Sequence, residues 1–229
     1  MEMNRTILHV PCTQLPAADE FFRRLSGVDT SNIPEAYVDA VEPGRAAALN
    51  GSEVIILHRF VDILSKSEEE VILEDNVVLK GKIPPRVLKD CGKMVVFMVT
   101  LRGYIPPETD DMMLEYMADT WASAYLECAQ AWFAGQVNRW AADNGFARTH
   151  LWCPGQYEFP LENQVGVYSL LQPEEVGCGL TKHYMMTPVK TVSGIFGITP
   201  KDAGLQLKPC DFCCFRKTCP GSDKGCAAI

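Results

Sequence analysis

No stretch of this chain approaches the roughly 20 consecutive apolar residues that cross a bilayer. Its first residues, Met-Glu-Met-Asn-Arg-Thr, lack the basic start and apolar run of a secretory signal. A cytoplasmic chain without a membrane partner is the expectation. Long basic runs are missing as well: 21 lysines and arginines stand against 29 acidic residues, for a net charge of -8. Phosphate backbones are bound by clustered cations, so a nucleic-acid partner is not expected. Neither the dinucleotide nor the P-loop glycine spacing occurs, and there is no internal repeat. Histidine is scarce at four, and His150 and His183 are separated singles, so no acid, base and nucleophile set assembles from the sequence.

What remains is an ordinary globular composition, 47% apolar and 22% charged, which excludes disordered and fibrous chains. A length of 229 residues suffices for one large domain or two small ones without staples. Residues 6–10 read as a short strand, 17–25 as a helix, and Pro34 opens a second helix that Pro43-Gly44 interrupts. Residues 54–57 read as a buried strand. The β-branched runs at 70–73 and 77–79, split by Glu74-Asp75-Asn76, predict a hairpin. Pro84-Pro85 opens a short helix ending near Gly92. The almost wholly apolar run at 94–101 predicts a central strand covered on both faces.

From about 110 to 143 no proline occurs, and Met113, Met117, Trp121, Tyr125, Cys128 and Trp132 recur at helical spacing. That stripe reads as core, with Asp119, Ser123, Glu127 and Gln130 on the polar side and Gly135 as a point where the helix can end or bend. A helix at 161–171 follows, then strand-like runs at 179–185 and 191–198 divided by Thr187-Pro188. Irregular alternation without a repeated βαβ unit predicts an α+β fold on a mainly antiparallel, twisted sheet with one long helix. The expected organisation is an N-terminal α/β part over 1–93 packed on the same domain, a core over 94–200, and a cysteine-rich tail over 201–229.

Two stretches stand out. Residues 148–160, Arg-Thr-His-Leu-Trp-Cys-Pro-Gly-Gln-Tyr-Glu-Phe-Pro, alternate aromatics with a Pro-Gly corner where a ligand can approach bare backbone at Gly155; the other reading is a loop pinned to the core by its aromatics. The second stretch is the tail. Cys12, Cys91, Cys128, Cys153 and Cys178 are scattered, while five of the ten cysteines crowd between 210 and 226. Cys210 and Cys213 form a C-x-x-C pair, and Cys219 and Cys226 complete four thiolates for zinc or an iron–sulfur cluster. Free thiols are the other reading. A self-contained thiol oxidoreductase fits less well, because this C-x-x-C does not open a helix after a strand.

Four ordered blocks carry a family resemblance: Met-Val-Val-Phe-Met-Val-Thr-Leu at 94–101, Ala-Asp-Thr-Trp-Ala-Ser-Ala-Tyr-Leu-Glu at 118–127, Cys-Pro-Gly-Gln-Tyr-Glu-Phe-Pro-Leu-Glu-Asn-Gln at 153–164, and Leu-Thr-Lys-His-Tyr-Met-Met-Thr-Pro-Val-Lys-Thr-Val-Ser-Gly at 180–194. Together they resemble the activation domain of cobalamin-dependent methionine synthase, and more closely the stand-alone proteins related to it, whose tails are also cysteine-rich. The resemblance implies an accessory protein that reactivates a corrinoid methyltransferase. It would present S-adenosylmethionine, or an electron from a tail iron–sulfur cluster, to a Co(II) corrinoid carried by a partner protein. By the same resemblance the ligand contacts are Glu127 on the long helix and Cys153, Pro154, Gly155 and Gln156 at the corner. Leu151 stands where the family has an arginine that pairs with the ligand carboxylate, and Gln156 where it has a tyrosine; Arg148 and His150 are the substitutes within reach. Those departures leave a second reading, a non-catalytic corrinoid-protein-binding module that has lost the methyl donor.

Overall fold

The computed structural model describes residues 5–15, 17–201, 207–214 and 216–218. The chain runs through β1 (Thr6–Val10), α1 (Ala18–Ser26), α2 (Val38–Leu49), β2 (Glu53–Lys66), β3 (Glu70–Leu73), β4 (Val78–Lys80), α3 (Ile83–Val87), β5 (Lys93–Arg102), α4 (Met112–Asp143), β6 (Phe146–Arg148), α5 (Gln164–Leu171), β7 (Gly179–Leu180), β8 (Met186–Thr187) and β9 (Thr191–Pro200). Seven strands form one sheet in the order β4-β3-β2-β5-β9-β6, with β1 also on β2, and β7 and β8 make a separate ribbon. All pairings are antiparallel. The structure is therefore the α+β fold on an antiparallel sheet, with one long helix, that the sequence predicts.

β2 is the strand on which this sheet is assembled. It pairs with β5 from Glu53 to Asp62, while its other side is shared: β1 takes Val54 to His58 and β3 takes Ile63 to Lys66 across a register shift. The sequence predicts only four strand residues there. His58, Arg59 and Asp62 interrupt the apolar run, yet the ladder to β5 carries the strand through them, since pairing outweighs residue preference in a central strand. Alternation then sends Val54, Ile56 and Phe60 with Phe97 and Val99 to one face, and Ile55, Leu57 and Val61 with Val96 and Met98 to the other. Both faces are covered, which explains why β5 is apolar at nearly every position. α1, α2 and α4 close the first face; α3 and α5 close the second.

α4 starts at Asp111, whose carboxylate accepts from the Met113 and Leu114 N–H groups at 2.9 and 3.2 Å. Met117, Trp121, Tyr125 and Cys128 are buried as the stripe predicts, whereas Met113 is exposed. Gln130, expected on the polar side, is buried, because Ala118, Ala122, Ala129 and Phe133 add a second apolar row that lets the helix be covered from two directions. Gly135 does not end the helix, which continues to Asp143.

Two other expectations are corrected. α2 passes through Pro43 and Gly44 to Leu49. Val41, Gly44 and Ala48 remain buried across the proline, which is exposed, and a Cβ on Gly44 would lie 2.8 Å from the Met117 Cβ. Gly44 thus permits the close approach of α2 to α4, and that packing holds the helix past its imperfect turn. The strand expected over 179–185 is instead the β7–β8 ribbon: the Thr181 hydroxyl accepts from the His183 and Met185 N–H groups, and Tyr184 takes a left-handed φ of 62°.

Candidate functional site

The Pro-Gly corner grows out of the edge of the sheet. β6 pairs with β9 through Arg148, Thr149 N–H donates to the Gly197 carbonyl at 2.9 Å, and Trp152 exchanges both backbone hydrogen bonds with Ile195 at 3.2 and 2.8 Å. Residues 149–152 therefore run beside β9 like an irregular extra strand. Leu151 and Cys153 pack on the α4 side, and Trp152 on the α3/α5 side. Gly194 permits this, since a Cβ there would meet the Leu151 side chain at 2.6 Å and the Trp152 carbonyl at 3.0 Å.

Beyond Trp152 the chain reverses, and the turn satisfies itself. Gly155 N–H donates to the Phe159 carbonyl at 2.7 Å, Gln156 N–H to Cys153 at 3.1 Å, and Phe159 N–H to Gln156 at 2.9 Å. The Gln156 side chain folds inward and accepts from Cys153 N–H at 3.0 Å. Gly155 takes φ +96°, which only glycine adopts at no steric cost, and Tyr157 takes φ 50°. The far side is tied to the β4–α3 turn: Ile83 N–H donates to the Glu158 carbonyl at 3.3 Å and Lys82 pairs with Glu158 at 3.0 Å. Asn163 holds Lys80 by its backbone N–H and carbonyl at 2.7 and 3.0 Å.

The residues singled out from the sequence occupy distinct positions. Glu127, a third exposed, pairs with Arg24 of α1 at 2.5 Å. Pro154 is buried, Gly155 exposed, and the Cys153 thiol is pushed up to about 12 by burial, so it is no thiolate at neutral pH. Gly155 and Gln156 have their N–H groups engaged within the turn. Leu151, in the place of an arginine, is buried beside Gly194. Arg148 does not take over that role: its guanidinium lies 4.7 Å from the Phe196 ring and donates to the Ala134 and Thr149 carbonyls at 3.2 and 3.0 Å. Burial lowers its pKa.

The tail returns to this corner. Lys208 N–H donates to the Asp211 carboxylate at 3.0 Å, Asp211 pairs with Arg216 at 3.0 Å, and Cys213 N–H donates to the Cys210 carbonyl at 3.3 Å, which folds residues 208–213 into a tight turn. Leu207 and Phe212 pack on the α3/α5-side core. The Phe212 ring meets Trp152 edge-on at 5.7 Å and Tyr157 at 5.7 Å, and the Arg86 guanidinium lies 5.2 Å from its centroid. Tyr157 is pushed up to about 12, by desolvation first, then by a hydrogen bond with Cys213 and the nearby Cys210 and Cys214.

Sequence reasoning finds the corner and the thiols but misses Phe212 and Arg86. An aromatic set between the two cysteines of the C-x-x-C pair is the available signal. Among the described residues no three His, Cys, Asp or Glu side chains converge as a metal site. Cys219 and Cys226 lie outside the described residues. Nor is any helix among the described residues long and apolar enough to cross a membrane.

One buried polar group at this site has no partner. The Trp152 side chain is fully buried, and its indole N–H has no acceptor among the described residues, a cost of about 1–3 kcal/mol.

No family model matches the sequence, and no curated protein is similar to it at a significant level. Among solved structures the chain is similar to the crystal structure of the MetH reactivation domain bound to AdoHcy, with a TM-score of 0.58 and 13% sequence identity over 90% of this chain and 81% of that one. At so low an identity the likeness is one of architecture: helices on a curled antiparallel sheet with one long helix, so that this chain has an activation-domain-like fold.

Proposed function

We propose that the chain is an accessory protein for a corrinoid-dependent methyltransferase and acts in returning an inactive corrinoid on its partner to the methylated state. The observation that carries this reading is the fold, shared over nine tenths of the chain with a reactivation domain solved with AdoHcy. AdoHcy is what S-adenosylmethionine becomes once its methyl group has left, so S-adenosylmethionine is the ligand to try first. On this reading the corrinoid supplies the cobalt that accepts the methyl group. The chain supplies positioning alone, which agrees with a site that lacks an acid, base and nucleophile set. Glu127 and the corner at 153–156 are the proposed ligand contacts, with the Glu127 carboxylate as acceptor for ligand hydroxyl or ammonium groups.

A second reading, a module that docks on a corrinoid protein without a methyl donor, is favoured by a specific observation. Leu151 is buried, the Gln156 side chain is spent inside the turn, and Arg148 is committed to backbone carbonyls. Neither Leu151 nor Arg148 offers a guanidinium at the family's position to clamp a ligand carboxylate. Titration calorimetry with S-adenosylmethionine separates the two. The first reading expects binding that weakens about tenfold or more in Glu127→Ala, a loss of about 1.4 kcal/mol. The second expects no heat up to millimolar ligand together with retained binding to a cobalamin-loaded corrinoid protein.

For the tail we propose a thiolate-bound zinc or iron–sulfur centre on Cys210, Cys213, Cys219 and Cys226, supported by four thiols within seventeen residues and by the turn that folds the first two together. An iron–sulfur centre would make the tail an electron donor to the corrinoid. Anaerobic preparation followed by metal analysis and electron paramagnetic resonance is expected to find iron and sulfide in stoichiometric amounts. Zinc in their place would remove the electron-donating role.

A further inference from the structure

We propose that Phe212 is a latch that docks the cysteine turn onto the aromatic face of the Pro-Gly corner and closes that face to other occupants. The closure rests on the reading of the corner as a ligand site; the latch itself does not. Phe212 is the one aromatic side chain in residues 207–214. It fills the space bounded by Trp152, Tyr157 and Arg86, and it sits between the two cysteines whose turn it carries. Leu207 gives the same segment a second apolar anchor on the same core. Tyr157 links the two halves: its ring touches Phe212, and it lies beside the cysteines of the turn.

Two further observations favour an occupied slot over a fortuitous contact. Tyr157 adopts a left-handed backbone, uncommon for a residue with a Cβ, and that turn conformation is what presents its ring toward the tail. The Trp152 N–H, in the same aromatic cluster, is also fully buried without an acceptor among the described residues. Phenylalanine brings no lone pair to it. A planar heteroaromatic ligand with a ring nitrogen or carbonyl oxygen would offer the same stacking area and the missing acceptor, so Phe212 and such a ligand compete for one place. Thiol position and corner access are thereby coupled: when the corner is taken, the cysteine turn must move off.

Hydrogen exchange on the full chain tests the latch without reference to any ligand. Among the described residues, the N–H groups of Asp211, Phe212 and Cys213 are bonded only within their own turn, at 2.9, 3.1 and 3.3 Å, and such a turn is not protected by itself. Protection in the wild type that falls roughly tenfold in Phe212→Ala, and returns in Phe212→Tyr, is expected from the lost aromatic contacts. Wild-type exchange at the unprotected rate, or equal protection in Phe212→Ala, overturns the latch. Calorimetry then tests closure. S-adenosylmethionine is expected to bind Phe212→Ala about tenfold more tightly than wild type, and equal affinity overturns the competition. If neither protein binds it while the exchange difference stands, the latch holds and the methyl-donor reading of the corner falls.

Discussion

Replacing Trp121 by alanine is expected to destabilise the protein by about 3–5 kcal/mol, the largest loss from any single side chain considered. Trp121 is fully buried where α1, α2 and α4 meet. Its ring stacks on Phe22 of α1 at 3.9 Å with the planes 11° apart, and its indole N–H donates to the Val41 carbonyl of α2 at 2.9 Å. On its other side the Arg45 guanidinium lies 4.6 Å from the ring and ties Tyr125 and Asp19 together at 3.0 and 3.1 Å. Alanine removes three kinds of contact at once: apolar burial, the hydrogen bond to α2 and the platform for Arg45. Urea unfolding followed by circular dichroism measures the loss. A change under about 1 kcal/mol would show that the three helices are not held through this ring. Trp121→Phe should recover the stacking while leaving the Val41 carbonyl without its partner.

The second large effect is a dependence on pH. His58 sits in the middle of β2, 1% exposed, with its ring 5.1 Å from Phe133 and 6.4 Å from Phe60 and its Nδ1 without a partner among the described residues. Burial lowers its pKa from 6.5 to about 4. The folded state therefore keeps the ring neutral while the unfolded chain takes up a proton near pH 6.5. Stability is flat above that value and falls as the pH drops from about 6.5 toward 4, by about 3 kcal/mol in all. Denaturant titrations at pH 7.5, 5.5 and 4.5 on the wild type and His58→Leu should show a steeper acid loss in the wild type. Carboxylates such as Glu53, whose pKa is lowered by its hydrogen bond with His9, contribute equally to both proteins and cancel in the comparison. Equal acid slopes would mean that the imidazole gains a proton in the folded state without cost.

Much of the fold is legible in the sequence where a local rule and the tertiary structure agree. The β3–β4 hairpin is an example, because β-branched runs flank a three-residue polar turn and nothing distant competes. The stripe from Met117 to Cys128 is another. Legibility fails where distant contact overrides the local rule. Pro43 reads as a helix end, but Gly44 against Met117 keeps the helix going. His58 and Asp62 read as the end of a strand, but the ladder to β5 continues through them. The ligand corner follows the same pattern. Its place is visible in Pro154-Gly155 and the surrounding aromatics, whereas the inward Gln156, the committed Arg148 and the return of Phe212 all depend on partners that no local spacing encodes. Phe212 is the extreme case, since its partners Arg86, Trp152 and Tyr157 are 55 or more positions earlier in the chain.

The double backbone bridge between Trp152 and Ile195 divides the corner into parts of unequal stiffness. Its base can shift only if sheet hydrogen bonds at a central position of β9 are broken, so it opens with the core. Its cover is held by side chains alone. Whatever settles on this face meets a mould cast by the sheet, and adaptation to shape falls to the tail. Selectivity at the corner is then a property of β9 as much as of the turn, and its preorganisation is fixed before any ligand arrives. A substitution as distant in sequence as Gly194, whose added Cβ would press on both Leu151 and the Trp152 carbonyl, would recast that mould from the β9 side.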